Sequence, residues 1–575
     1  MNEIKSKKKI KWSIFLPPWL ILVAILIVSS VSYDTFTAIM TSAQNAIVMN
    51  FQWLFNSVAL VATILMACCL FLPIKDVRFG GRNCRPMMKY STYVWIVLCT
   101  YLAAGILLWA CAEPLIHIYN PPANITEGAG SGAAIRWAMQ TMFLEWSFSP
   151  AAIYGLPGLL FAFVFFNMKK RYSIGSMFSL TLRDGIITRI SPAIECVSLF
   201  CLVCGIAASM GFGVMLLSGG VSDLFGIPNG TYLYILCGLA IVIAFIASAA
   251  SGVLNGIRIL SNINSTAYFI LGGFVLLAGP TSYMLDLLVE SVGGYLTNFF
   301  TISLWTSASA GDGWSRWWPT FYICCWLAWM PIAALFLGKI SRGFTVREAV
   351  MAQFVLPSIF SMCWIGIFSG SSIYFDQHGV GVYDAVVANG TEAGVFTVLR
   401  HLPLSKLTIP LFLIIAFFSF VTAADSNTNA MAGLCSEGMT TEDTEAPVVL
   451  KILWGGIAGV LCLVAVCGNG TDGIKALCNV GGFPAAIMFV FFLVGWIKIM
   501  RNPAKYDVYQ EDYDAQGRPI KSKRLRPVGE EEHNGLLERL KSRRNRPDGV
   551  PAPSMSSIGH RIPKHHNKPV NEMPE

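Results

Sequence analysis

Trp326 and Trp329 stand three residues apart inside an apolar run that begins at Pro319, so a helix there carries both indoles about one turn apart on one side. Trp109, Trp146 and Tyr154 also fall inside or at the ends of apolar runs, with polar neighbours. A single tryptophan in such a place usually belongs to an interfacial belt, whereas a pair at depth offers ring faces to something within. A tertiary or quaternary ammonium has few or no N–H donors, so a protein holds it by aromatic faces, each contributing about 0.5 to 2 kcal/mol. These residues therefore suit a small methylated cation.

Other chemistry is sparse. Glu113 and Glu145 fall at or near the ends of apolar runs, Asp425 follows a long one, and of the seven histidines only His117 and His401 lie near a helix end. That scatter predicts no relay of carboxylates and histidines and speaks against a primary pump. No Walker-type glycine loop, no H-E-x-x-H and no G-x-S-x-G in a strand–turn–helix setting occurs, so neither an ATP-driven machine nor an enzyme is expected, and no residue is singled out as catalytic. The 16 cysteines sit mostly in apolar runs, as at Cys68-Cys69, Cys201, Cys204 and Cys324-Cys325, and read as small buried hydrophobes rather than as disulfides or metal ligands.

The elements that must position these residues follow from composition. A hydrophobic fraction of 55%, a charged fraction of 13% and a mean hydropathy of +0.59 do not describe a water-solvated surface. Apolar stretches of about 20 residues, the length of a helix crossing a hydrocarbon core of about 30 Å, recur twelve times from Ser13 to Met500. They begin near Ser13, Gln52, Thr92, Met142, Ala193, Tyr232, Asn264, Pro319, Val350, Lys406, Val448 and Ala476. The first is too long for a cleaved signal peptide and counts as a span.

Lysine and arginine gather in alternate connections. They crowd residues 1–12, the stretch from Lys75 to Lys89, the stretch from Lys169 to Arg189, and Lys339, Arg342 and Arg347, which places both termini in the cytoplasm. Residues 501–575 turn rich in charge and proline, and a largely disordered cytoplasmic tail is expected there, with a basic stretch around Arg539 to Arg546 able to meet anionic lipid.

Several segments resemble the betaine/choline/carnitine transporter family, from about Phe15 to Ile499. Ala112-Glu113-Pro114 looks like that family's Glu-Pro turn after the third span. Trp146 through Tyr154 resembles its aromatic fourth helix, Trp317 to Arg347 its tryptophan-rich eighth helix and following loop, and Thr422-Ala423-Ala424-Asp425-Ser426 its tenth-helix signature. The resemblance implies an all-α integral membrane protein of twelve spans, with two inverted five-helix repeats at about 92–284 and 319–500 preceded by two extra helices, leucine-transporter-like, and assembled as a homotrimer. It implies a solute site formed by Trp146, Tyr154, Cys325, Trp326, Trp329 and Gly105.

Ala151 and Cys325 stand where the family commonly has tryptophan, and the run Leu102-Ala103-Ala104-Gly105 keeps one of several usual glycines, so a wider or less aromatic pocket is expected. Thr422 matches a sodium-ligating hydroxyl, while Ala423 replaces a neighbouring serine and Asn264 stands where sodium-independent exchangers carry arginine. Sodium-coupled transport of a betaine, carnitine, choline or related methylamine is the implied activity, with proton coupling and substrate exchange left open. The expected partners are a small cationic or zwitterionic solute, membrane lipids and two further copies of the chain; no nucleic acid is expected. A channel lacks any filter motif, while a sensor using the basic tail as its output is compatible with the sequence.

Overall fold

The computed structural model describes residues 9–101, 105–251, 254–437, 446–522 and 525–528, with backbone only for Cys99 and for residues 249–251 and 254–265. Leu102 to Ala104, the side chain of Asn264 and the basic stretch around Arg539 lie outside the described residues.

The described chain is helical, and several of its apolar runs make helices longer than a bilayer requires while others are broken into shorter pieces. α1 (Trp12–Val31) and α2 (Tyr33–Cys68) are joined at Ser32, whose side chain caps α2 by accepting from the Thr35 amide. α3 (Tyr90–Tyr101) and α4 (Gly105–Tyr119) follow, then α5 (Gly132–Trp146) and α6 (Phe148–Ala162), broken from each other at Ser147. α7 (Asp184–Phe225), α8 (Thr231–Ser251) and α9 (Leu254–Ala278) lead to α10 (Thr281–Leu304). The second half has α11 (Trp314–Trp317), α12 (Pro319–Ile340), α13 (Val346–Val350), α14 (Leu356–Gln377), the short α15 (Val382–Asn389) and α16 (Ala393–Arg400), α17 (Ser405–Leu434) and α18 (Val448–Arg501). Among the described residues ten helical stretches are long and apolar enough to cross a membrane, and Gly105–Tyr119 and Thr266–Ala278 are shorter apolar helices.

Two departures from the sequence expectation have physical causes. The last two expected spans form one 54-residue stretch interrupted at Gly470, whose φ of 54° and ψ of −128° suit a residue without Cβ, so a kink replaces a loop. The stretch expected to connect the seventh and eighth spans contains α10. Its buried residues Met284, Leu287, Ser291 and Tyr295 recur at helical spacing, a period that the charges of Asp286 and Glu290 mask in a simple hydropathy reading.

The basic connections meet on one face. Phe79 and Gly343 pair through their backbones, and Arg78 Nη1 donates to the Gly343 carbonyl. Asn167 donates to the Arg78 carbonyl at 3.1 Å and to Asp507 at 2.7 Å, and accepts from the Gly80 amide at 3.0 Å. The residues that follow α18 are thereby folded onto this face, with the Arg82 amide donating to Asp512 at 2.5 Å and the Lys169 ammonium 5.1 Å from the Tyr509 ring. The described residues from Asn502 to Ser522, placed in the expected disordered tail, are instead bonded to this face. Polar composition argued for disorder, but Asp507 and Asp512 answer donors that the other loops leave unpaired.

Candidate solute site and buried ionisable cluster

The backbone breaks on either side of the site. Ser147 (φ −116°, ψ −105°) separates α5 from α6, and Trp318 (φ −121°, ψ −85°) separates α11 from α12 just ahead of Pro319. A break releases carbonyls from the helical ladder, and polar side chains take them up. The Trp326 indole N–H donates to the Glu145 carbonyl at 2.9 Å, two residues before the Ser147 break.

That bond fixes Trp326 within a cluster of rings. Trp326 meets Trp146 edge to face at 5.5 Å between centroids and Tyr154 in the same manner at 5.5 Å. All three are nearly buried, and α5, α6 and α12 contribute one ring each. Gly105 lies at the edge of this box, where an added Cβ would stand 3.5 Å from the Trp146 ring. Two rings that the family pattern did not indicate complete it. Tyr322 packs against Trp146 at 5.1 Å, one turn before Trp326 on α12, and Tyr101 lies 5.5 Å from Tyr154 while donating to the Ala151 carbonyl at 3.1 Å. The i, i+4 spacing of Tyr322 and Trp326 was the available sequence signal for the first.

Trp329 is placed elsewhere. Its indole edge lies on α7, 3.0 Å from where a Cβ on Gly205 would stand, so the two tryptophans expected on one side diverge to different partners. Cys325 is half-buried and its thiol meets Cys478 of α18. Close by, Gly482 lets α18 approach α12 so nearly that an added Cβ would fall 2.3 Å from the Cys324 carbonyl. The space a tryptophan would fill at position 325 is therefore occupied by α18. Thr422 donates its hydroxyl hydrogen back into its own helix, to Phe418 at 2.8 Å and Ser419 at 3.1 Å. What it could offer a cation is its remaining lone-pair density.

The expectation of no carboxylate–histidine assembly is overturned. Glu113 and His117 on α4 and Glu145 on α5 are each almost wholly buried and converge. His117 Nε2 lies 3.4 Å from Glu113 Oε1 and 3.9 Å from Glu145 Oε2. Glu113 Oε2 accepts from the Tyr322 hydroxyl at 2.6 Å and from the Trp146 indole at 3.3 Å, which ties the cluster to the box. Lys475, from the part of α18 beyond the kink, extends its ammonium over the Trp318 ring at 3.9 Å, with Phe321 at 5.4 Å and Trp109 at 6.0 Å. Glu113 and His117, four residues apart, were a legible pair. Glu145 and Lys475 join them only because separate helices cross at this depth.

The family model described as BCCT, betaine/carnitine/choline family transporter, matches residues 13–505. An ectoine/hydroxyectoine transporter of Virgibacillus pantothenticus is 26% identical over 458 residues, covering 80% of this chain and 90% of that protein. A glycine betaine transporter of Bacillus subtilis strain 168 is 28% identical over 469 residues, 80% of this chain and 89% of that protein. An osmo-independent choline transporter of Acinetobacter baylyi is 23% identical over 476 residues, 82% of this chain and 90% of that protein. A solved Na+-coupled sialic acid symporter in a substrate-bound outward-open state is 13% identical, with a TM-score of 0.41 over 78% of this chain and 86% of that one, too slight a likeness to bear on mechanism. With the family match spanning all the helices described above, the chain belongs to the betaine/carnitine/choline transporter family, multi-pass membrane proteins that are transporters and not enzymes.

Proposed function

We infer that the protein carries a small quaternary-ammonium or betaine-type solute across the membrane by alternating access. The observation that carries this reading is the convergence of Trp146, Tyr154 and Trp326 from three helices, with ring centroids 5.5 Å apart. In the described arrangement the rings close on one another, so a methylated head must part them to gain their faces. Binding then requires movement of α12 against α5 and α6, which is the motion alternating access needs. Relatives that carry glycine betaine and choline favour the same chemical class of solute.

The reading includes twelve crossings in two inverted repeats after two extra helices, both termini in the cytoplasm, and a homotrimer. The apolar outer face of α10, with Leu285, Val289, Leu296 and Phe300 exposed, offers a surface for neighbouring copies or lipid. Sodium is proposed as coupling ion, with Thr422 among its oxygen ligands. The experiment is an uptake panel of betaine, carnitine, choline and related methylamines into liposomes, with and without sodium. Thr422→Val, which keeps shape and deletes the oxygen, is expected to raise the sodium concentration for half-maximal uptake; uptake of every solute indifferent to sodium removes that ion from the reading. A proton-coupled reading is favoured by one observation, the buried Glu113–His117–Glu145 group beside the box.

A further inference from the structure

The ionisable cluster forms part of the wall behind the aromatic box but is not needed to hold a methylated head. The near atoms of Glu113, His117 and Glu145 lie within 4.8 Å of one another. Among the described residues Glu113 Oε1, both ring nitrogens of His117 and both carboxylate oxygens of Glu145 have no hydrogen-bond partner, although all three side chains are buried. Buried polar atoms are normally satisfied. A neutral imidazole brings one hydrogen to this group, and the remaining atoms face one another as acceptors. What such a group lacks is a proton.

Charge counting gives the same answer. With Glu113 and Glu145 ionised, His117 neutral and Lys475 charged, the group carries one net negative charge in a buried setting, where an uncompensated charge is expensive. One added proton, like any monovalent cation, brings it to zero, whereas a divalent ion would overshoot to a net positive charge; the unpaired facing acceptors favour the proton. The other groups that act on it are few. Tyr322 of α12 donates to Glu113, and Asp472, exposed behind Lys475 on α18, acts on that ammonium. On the remaining sides α14 presents Ser369 and Ser372, bonded to the Ala110 and Cys111 carbonyls, and α16 presents Gly394 against Ala112. Asp472 also lines a cavity of about 430 Å³ between α2 and α18, which reaches to within one helical turn of Lys475.

A permanently positive solute in the box would neutralise the group just as a proton does. Trp146 and Tyr322 form the wall between the two sites and both donate to the same oxygen of Glu113, so the two positive charges would sit one residue layer apart. At such a separation in a protein interior, like charges weaken each other's binding by roughly tenfold or more. We propose that the Glu113–His117–Glu145 cluster, with Lys475 as its fixed counter-charge, holds a proton that the cationic head of the solute displaces. The step breaks one O–H or N–H bond within the cluster and passes the proton to water; nothing is oxidised or reduced. It rests on the box being the solute site and adds the ion that exchanges with the solute there.

The test uses the full-length chain in nanodiscs and choline, whose own charge does not change with pH. Choline binding is measured calorimetrically between pH 5 and 8, in buffers of different ionisation enthalpy and with chelator present. Affinity is expected to rise at least tenfold across a range of pH within this window, with up to one proton released per choline bound. Glu145→Gln is expected to flatten this dependence while Trp326→Ala weakens binding at every pH and leaves the proton release per bound choline in place. Should Glu145→Gln fail to fold, infrared difference spectra of the wild type serve instead, and loss of a protonated-carboxyl band on adding choline is the expected signature. Choline bound with no proton released, or with a proton taken up, overturns the proposal and leaves the solute reading intact. A pH dependence abolished by chelator, or one unchanged in Glu145→Gln, also overturns it. Failure of choline and every other cationic solute to bind at any pH defeats both readings.

Discussion

Trp326 is the residue on which the proposed solute site turns, because its indole both walls the ring cluster and closes the carbonyl of Glu145 that the break at Ser147 releases. Trp326→Ala removes a ring face and leaves that carbonyl unpaired. Solute affinity is expected to fall tenfold or more, since a desolvated cation–π contact can exceed 1.4 kcal/mol; an unchanged dissociation constant in a folded variant would remove Trp326 from the site. Cys325 is bounded differently. Its thiol lies against Cys478, and α18 is already in backbone contact with the neighbouring Cys324. Restoring the family's common residue by Cys325→Trp is therefore expected to overpack the α12–α18 contact and cost about 1 to 3 kcal/mol of stability rather than shift selectivity toward glycine betaine. Thermal unfolding in detergent checks this, and a Trp variant as stable as the wild type with improved betaine uptake would show that the space is free.

The helices carry information that no single residue shows. The breaks at Ser147 and Trp318 set where the α5–α6 and α11–α12 units cross, and only at that crossing do the box and the ionisable cluster share the oxygen of Glu113. At the other end of α7, Gly219 has no side chain to oppose Glu392, which sits between α15 and α16 outside the spans. Asn229 donates to Glu392 Oε1 at 2.6 Å, yet burial pushes this carboxyl up to about 7. A carboxyl raised on folding favours the folded state while protonated. Its contribution is complete below the unfolded value of 4.5 and is lost as pH rises through about 7. The shift corresponds to roughly 3 kcal/mol at 1.36 kcal/mol per pKa unit. The wild type is thus expected to melt lower at pH 8 than at pH 5, and Glu392→Gln, neutral throughout, to reduce that difference. Equal pH profiles for the two proteins would show that Glu392 is not the group responsible.

At the scale of the whole molecule, the polar face is closed by a segment that follows the last helix. Asp507 accepts from Asn167, from the Tyr513 hydroxyl and from the Tyr509 amide, and Val508 donates to the Asn167 carbonyl at 3.0 Å. A chain ending at Ser522 is expected to keep the wild-type melting temperature, and one ending at Arg501 to lose several degrees, because Asn167 and the loop amides would be left without these partners. Equal melting of the two truncations would show the clamp to be weak.

The membrane class, most of the helical spans, the gathering of basic connections and the family resemblance were legible in the residues alone, because burial in lipid imposes a length and composition that each segment carries locally. The sequence also marked Trp146, Tyr154 and Trp326, whose rings the structure brings together in the proposed box. Tertiary structure alone decided that Trp329 leaves the box for Gly205, that Tyr101 and Tyr322 join it, and that α18 fills the space beside Cys325. It likewise brought Glu145 and Lys475, remote in sequence and unremarkable at their own span ends, to Glu113 and His117. Where side chains from different helices meet depends on crossing angles and backbone breaks, which are properties of pairs of helices that no local pattern encodes.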